Sequence, residues 1–200
     1  MLIPLQLTSD ARIVGRVLGG RRDEFGVLVE RYYRAVQSVA RARLENTVDA
    51  EDVAQEAFVS AYRKLDTLME PQKFGPWLMA IARNAAVSWI RRRKSEVLVA
   101  DVATVAEPGE NPPVERAELQ RIVRAKLQDM EPDQREILLL FYYGGKTVGE
   151  VASLLEITKA AANKRLQRAR EALGSEFLRS VGESGKARDL ALAWGIGIGG

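Results

Sequence analysis

The chain has 200 residues, room for one medium domain or two small ones, with 46% hydrophobic and 28% charged residues, a balance that excludes a wholly disordered polypeptide. Thirty Lys and Arg against 27 Asp and Glu leave a net charge of only +3, which hides strong local asymmetry. Cys and His are both absent, which excludes disulfides, thiolate nucleophiles, Cys/His zinc sites, Ser-His-Asp triads and imidazole acid/base chemistry.

A chain without Cys fits a reducing cytoplasm. The N-terminal run MLIPLQLTSDARIVGR has no basic segment ahead of its short apolar stretch and does not read as a signal peptide. No stretch of roughly 18 uninterrupted apolar residues is present to span a bilayer. The reading is of a cytoplasmic protein without direct membrane insertion.

Helical periodicity dominates the first half. A short helix is expected from Asp10, with Ser9 as N-cap, to Gly19-Gly20. A longer one spans about residues 23 to 44 on the stripe Phe25, Leu28, Val29, Tyr32, Tyr33, Val36, Val39 and Ala40. Asp49 is read as the cap of a third, whose buried face is Val53, Ala54, Ala57, Phe58, Ala61, Tyr62 and Leu65. A fourth begins near Gly75-Pro76 and carries Trp77, Leu78, Ile81, Ala82, Ala85 and Trp89. Such helices with short connections make a small helical domain.

Residues 95–114 break the pattern, with Pro108, Gly109, Pro112 and Pro113 and no apolar stripe. Six acids and one base between Glu96 and Glu118 give that region a charge of −5, and it reads as an acidic, Pro-containing linker. Beyond it, one helix is expected over Val114 to Met130. Another starts at Pro132 and passes through Ile137, Leu138, Leu140 and Phe141 to Gly144-Gly145. Thr147 with Glu150 forms a capping box that opens a short helix to Leu155. Thr158 caps a last helix to about Leu173, with Ala162, Leu166, Ala169 and Leu173 inward. No strand pattern and no internal repeat is visible. The fold class is all-α, with two small helical domains. The divisions are 1–94, the linker at 95–114, 115–174, and a tail at 175–200.

The stretch Thr147 to Leu173 has helix-turn-helix spacing, and its second helix carries a charge of +4 from Lys159, Lys164, Arg165, Arg168 and Arg170 against Glu171. With the apolar stripe inward, Lys159, Asn163, Lys164 and Gln167 face outward from the half that enters a major groove. The bland alternative is a solvated basic face on a helical hairpin. A second basic cluster, Arg83 through Lys94, holds five cations and no acid. Cations follow phosphates and aromatics stack on unpaired bases, which suits Trp89 either as stacking platform or as core, whereas Trp77 reads first as core. The acids Asp49, Glu51, Asp52 and Glu56 lack the geometry to complete a metal shell. Asp52, Gln55 and Glu56 form an outward face that is either solvated or a docking surface. No catalytic centre, metal site, cofactor or small-molecule substrate is expected.

The order of these features resembles a known family. Asp49-Ala-Glu-Asp-Val-Ala-Gln-Glu-Ala-Phe58, Trp77-Leu-Met-Ala-Ile-Ala-Arg-Asn84 and Arg91-Arg92 resemble sigma region two of the extracytoplasmic-function (ECF) sigma factors, group IV of the sigma-70 family. Asp133-Gln-Arg-Glu-Ile137, Glu150-Val-Ala152, Leu154-Leu155 and Arg165-Leu-Gln-Arg-Ala-Arg170 resemble sigma region four.

The resemblance implies a transcription initiation factor of two DNA-binding domains. Asp49, Asp52, Gln55 and Glu56 would bind the β′ clamp helices of core RNA polymerase. Lys73, Phe74, Trp77, Arg83, Asn84, Ser88, Arg91, Arg92 and Arg93 would melt the minus-ten promoter element and hold a flipped base. Lys159, Asn163, Lys164, Gln167 and Arg168 would read the minus-thirty-five element as duplex, with a contact to the polymerase β flap. The acidic linker would thread the polymerase interior near the RNA exit path, and an anti-sigma factor is an expected partner. The chain departs from the family pattern at Ser88 (usually Asp), at Glu156 (usually Gly) and at Ala160-Ala-Ala-Asn163, where polar groups and a charge are lost from the groove-facing end. The residues alone leave two rivals: a stand-alone helix-turn-helix regulator, and a metal-dependent nuclease using the 49–56 carboxylates.

Overall fold

The computed structural model describes residues 8–44, 46–97 and 125–181. The greater part of the 95–114 linker, the first part of the helix expected from Val114, and the segment Ala187–Trp194 lie outside the described residues. The elements are α1 (Asp10–Leu18), α2 (Phe25–Arg41), α3 (Thr47–Arg63), α4 (Phe74–Val97), α5 (Pro132–Tyr142), α6 (Val148–Leu154) and α7 (Lys159–Val181). Short 3-10 turns precede α2 (Arg22–Glu24), follow α3 (Leu65–Thr67) and lead into α4 (Pro71–Lys73). Residues 125–129 are also helical, and no strand occurs among the described residues.

In the first unit, α2, α3 and α4 pack on one another and α1 closes one end through Ile13, Val14 and Val17. α1 starts after Ser9 and stops at Gly19 as expected, although the Ser9 side chain accepts no capping hydrogen bond. The expectation that Asp49 caps α3 is corrected: Asn46 is the N-cap, its side-chain oxygen accepting from the Val48 N–H at 2.8 Å. Asp49 falls in the first turn, where a carboxylate still favours the helix dipole. On α3 the expected inner face is buried except for Tyr62, which is exposed on one side and meets Phe25 edge-on at 5.1 Å.

The buried face of α4 is rotated from the expected stripe. Phe74, Leu78, Met79, Ala82 and Ala86 are fully enclosed, while Trp77, Ile81, Ala85 and Trp89 are half-buried at its margin. The reason is tertiary: α2 and α3 cover one side of α4, and α6 from the second unit covers another.

In the second unit, α5 starts with Pro132 at a first-turn position and ends before Gly144-Gly145, where Gly145 sits at φ +63°, a conformation L side chains adopt at a cost. Thr147 and Glu150 make the expected reciprocal capping box on α6. Thr158 caps α7, its hydroxyl oxygen accepting from the Ala161 N–H at 3.1 Å. α7 continues past Leu173 and Gly174 to Val181, into the segment read as tail.

The two units are docked. Residues Ala35 to Ala40 of α2 are all buried, more than one amphipathic stripe accounts for, because α5 lies over the second face. There the Ser38 hydroxyl is shared between the carbonyls of Arg34 (2.7 Å) and Leu139 (3.1 Å), and the Tyr143 hydroxyl donates to Gln37 Oε1 at 2.7 Å. At the start of α4, a Cβ on Gly75 would stand 3.0 Å from both Leu154 Cδ2 and the Tyr32 hydroxyl. Only glycine admits so close an approach of α6 without displacing a neighbour.

Candidate nucleic-acid interface

Three surfaces carry the residues singled out from the sequence. The first is the outer face of α3, where Asp52, Gln55 and Glu56 are exposed and Asp49 is half-buried. The second is the outer face of α4, where Asn84, Ser88, Arg91, Arg92 and Arg93 are all exposed. These two faces adjoin. Arg92 donates to Glu56 at 2.9 Å, and Arg93 pairs with Asp49 while its guanidinium lies 4.8 Å over the Trp89 ring. Among the described residues no group of three or more acids is placed to hold a metal ion.

The other residues read as minus-ten contacts are distributed differently. Lys73 is exposed and bonded to Glu70 at 2.8 Å, and that carboxylate raises the ammonium pKa. Phe74 is fully buried, meeting Tyr32 and Phe25 of α2 edge-on at 5.6 and 6.3 Å, so its ring belongs to the core and presents no face to a base. Trp77 is half-buried and tilted against Phe74 at 5.9 Å. Arg83 turns away from the exposed face and donates to Glu136 of α5 at 2.8 Å (Nη2) and 3.0 Å (Nε).

The third surface is the helix-turn-helix formed by α6 and α7. Its turn is closed by two backbone bonds, Ile157 N–H to Ala152 O at 3.0 Å and Glu156 N–H to Ser153 O at 3.2 Å, the paired pattern of a Schellman C-cap. That pattern needs a left-handed residue, and Glu156 supplies it at φ +52° without being glycine. On α7, Ala162, Leu166, Ala169 and Leu173 are buried. Lys159, Asn163, Lys164, Gln167 and Arg168 are all exposed on the opposite side, with Arg165 among them. Gln167 bonds Glu171 one turn on at 2.9 Å. Arg170 points inward instead, donating to the Tyr142 hydroxyl at 2.9 Å and lying 5.0 Å from the Phe141 ring centre.

Two residues that sequence reasoning left without a role belong beside these. Arg43, just past the end of α2, donates to Glu136 at 2.6 Å, so Glu136 joins Arg43 and Arg83. Arg43 falls in the last turn of the helix expected over 23–44, just past the observed end of α2, and belongs to no motif, so local sequence carries no signal for it.

A helical unit with adjoining acidic and basic faces, followed by a helix-turn-helix with a basic second helix, defines a two-domain DNA-binding protein. The Sigma-70 region 2 profile matches residues 28–96, and the Sigma-70 region 4 profile matches residues 120–173. The chain is 33% identical over 183 residues to the ECF RNA polymerase sigma-E factor of Escherichia coli, covering 86% of this chain and 95% of that one. It is 36% identical over 168 residues to a probable RNA polymerase sigma factor, RfaY, of Xanthomonas campestris; the match covers 80% of this chain and 42% of that relative's length. The solved structure of CnrH in complex with the cytosolic domain of CnrY superposes with a TM-score of 0.60 at 27% identity, covering 86% of this chain and 99% of that one. The chain belongs to the ECF family of RNA polymerase sigma factors. No described helix is long and apolar enough to cross a membrane.

Proposed function

We propose that this chain acts in the cytoplasm as a non-catalytic initiation subunit, binding core RNA polymerase and directing it to promoters. Phosphodiester chemistry belongs to the polymerase. Asp49, Asp52, Gln55 and Glu56 on α3 dock the β′ clamp helices. The exposed row Asn84, Ser88, Arg91, Arg92 and Arg93 on α4, with Lys73 in the turn before it and Trp77 in its first turn, takes the opened minus-ten strand. There cations follow the phosphates and aromatic surface accepts an extruded base. Phe74 belongs to the core. Lys159, Asn163, Lys164, Gln167 and Arg168 read the minus-thirty-five element as duplex, and the same domain meets the β flap. The working division is 1–94 for polymerase and minus-ten binding, 95–114 as linker in the polymerase channel, 115–174 for the upstream element and 175–200 as a tail, with an anti-sigma factor as regulatory partner.

The observation that carries this reading is α7: five polar or cationic side chains on the face opposite its buried stripe, from a helix seated by a capped turn. The test is co-purification with core polymerase, with Asp52→Ala/Glu56→Ala as control, followed by run-off transcription. Association lost in the double variant supports the α3 assignment. Association unchanged in the double variant, or none by the folded wild type, overturns it.

A further inference from the structure

Between Lys159 and Gly174 the sole acid is Glu171, and it stands on the outermost line of α7. Ala160, Lys164, Gln167 and Glu171 are spaced by four, three and four, so they follow one line up the helix, and all four are exposed. The buried stripe of Ala162, Leu166, Ala169 and Leu173 lies on the opposite side. At 1.5 Å per residue, Gln167 stands about 12 Å along the axis from Lys159, and Glu171 about 6 Å further. A major groove is about 12 Å wide, which keeps Gln167 within reach of base edges and sets Glu171 at the rim, beside the phosphates. A carboxylate there opposes binding to every sequence. Its hydrogen bond is to a neutral group: Gln167 Nε2 donates to Glu171 Oε1 at 2.9 Å.

An amide beside a carboxylate turns its NH2 toward it, because the reverse sets two acceptors against each other. That fixes what Gln167 has left to offer a base. One N–H is taken; the other N–H and the carbonyl oxygen remain, a donor next to an acceptor. Adenine presents the complement in the major groove, its N7 accepting and its N6 amino group donating, whereas guanine presents two acceptors, N7 and O6. An unrestrained amide can turn both N–H groups to guanine, and one held by Glu171 cannot. We infer that Glu171 is a positioning residue for base recognition, holding Gln167 in the orientation that accepts adenine and rejects guanine at one position of the upstream element. The repulsion between Glu171 and phosphate falls on all sequences alike, while the spent N–H acts only against guanine. Specificity is the difference between two affinities, so a residue that weakens binding overall still sharpens the choice.

This inference rests on the promoter-binding reading, and the test separates the two. Core RNA polymerase reconstituted with the full chain is presented with promoter duplexes randomised in the upstream element, and the bound sequences are counted. The wild type is expected to favour adenine over guanine on the order of tenfold at one position, within the range of a single bidentate contact, and Gln167→Ala to erase the preference there. Glu171→Ala should bring that ratio to near parity while tightening binding to all sequences alike. Glu171→Lys should reverse it, because an ammonium one turn on donates to the Gln167 oxygen and turns both N–H groups to the base. A role of Glu171 in helix stability alone would move every sequence together and leave the ratio where it was. An adenine preference unmoved by Glu171→Ala, one retained in Glu171→Lys, or the absence of any position that responds to Gln167→Ala would each overturn the inference and leave the promoter-binding reading standing. A wild-type chain that selects no upstream sequence would overturn both.

Discussion

Glu56 of α3 and Arg92 of α4 meet at 2.9 Å, so an acid assigned to polymerase and a cation assigned to DNA neutralise each other across two helices. Both side chains are about half exposed, and a surface pair of this kind contributes roughly 0–1 kcal/mol. Its consequence is mainly electrostatic: docking either partner releases the other charge. Glu56→Ala is expected to lower polymerase affinity and change stability by no more than about 0.5 kcal/mol. Pull-down beside thermal unfolding checks both. A large fall in melting temperature would mark Glu56 as structural.

Glu156 holds the helix-turn-helix turn at φ +52°, and a side chain in that region costs on the order of 1 kcal/mol. Glu156→Gly relieves the strain and also loosens the unfolded chain, which takes back part of the gain. A net stabilisation of about 0.5–1 kcal/mol is expected, read as a higher urea midpoint at constant slope. Glu156→Val, β-branched in a left-handed position, should lower it.

The capping box on α6 ties stability to pH. Partial burial pushes the Glu150 carboxyl up, but hydrogen bonds from the Thr147 N–H (2.8 Å) and hydroxyl (2.7 Å), with Lys146 nearby, outweigh it and leave the pKa lowered. A carboxylate more acidic folded than unfolded stabilises at pH values above its unfolded pKa, and loses that contribution as pH falls through the folded one. Unfolding free energy should therefore be flat near neutrality and fall below the usual carboxylate range. Glu150→Gln should flatten that part of the curve, and Thr147→Ala should cost about 1 kcal/mol at neutral pH.

Tyr32 gives the opposite slope. Burial, then its hydrogen bond to Asp10, raise its phenol well above the ordinary tyrosine value. A group whose pKa is raised in the folded state contributes fully below its unfolded pKa and loses that contribution as pH rises beyond it. Stability should fall above the ordinary tyrosine range as the unfolded state ionises, and Tyr32→Phe should reduce that alkaline loss. The same substitution is expected to cost about 1–2 kcal/mol at neutral pH, because among the described residues Asp10 then keeps Arg31 alone as side-chain partner. Denaturant melts across alkaline pH, with tyrosinate absorbance as second signal, test this.

Much of the candidate site was legible because its determinants are local. The capping box needs two residues three apart, the recognition helix shows its inner stripe at Ala162, Leu166, Ala169 and Leu173, and Thr158 caps it from one residue away. The misreadings are informative too. Asn46 and Asp49 are both capping residue types within one turn, and only backbone geometry chose Asn46. Phe74, which the resemblance implied at the minus-ten strand, is the largest fully buried side chain described.

What the sequence determined by itself is the order of the helices, the caps at Thr147 and Thr158 and which side of α7 faces outward, since hydrophobic period and short-range hydrogen bonding act within one or two turns. The tertiary structure decided which charges remain available. Arg170 is drawn onto Tyr142, Arg92 onto Glu56, and Arg43 and Arg83 onto Glu136. Those partners stand 28 to 93 residues apart, and their pairing depends on how helices cross, which no local pattern encodes.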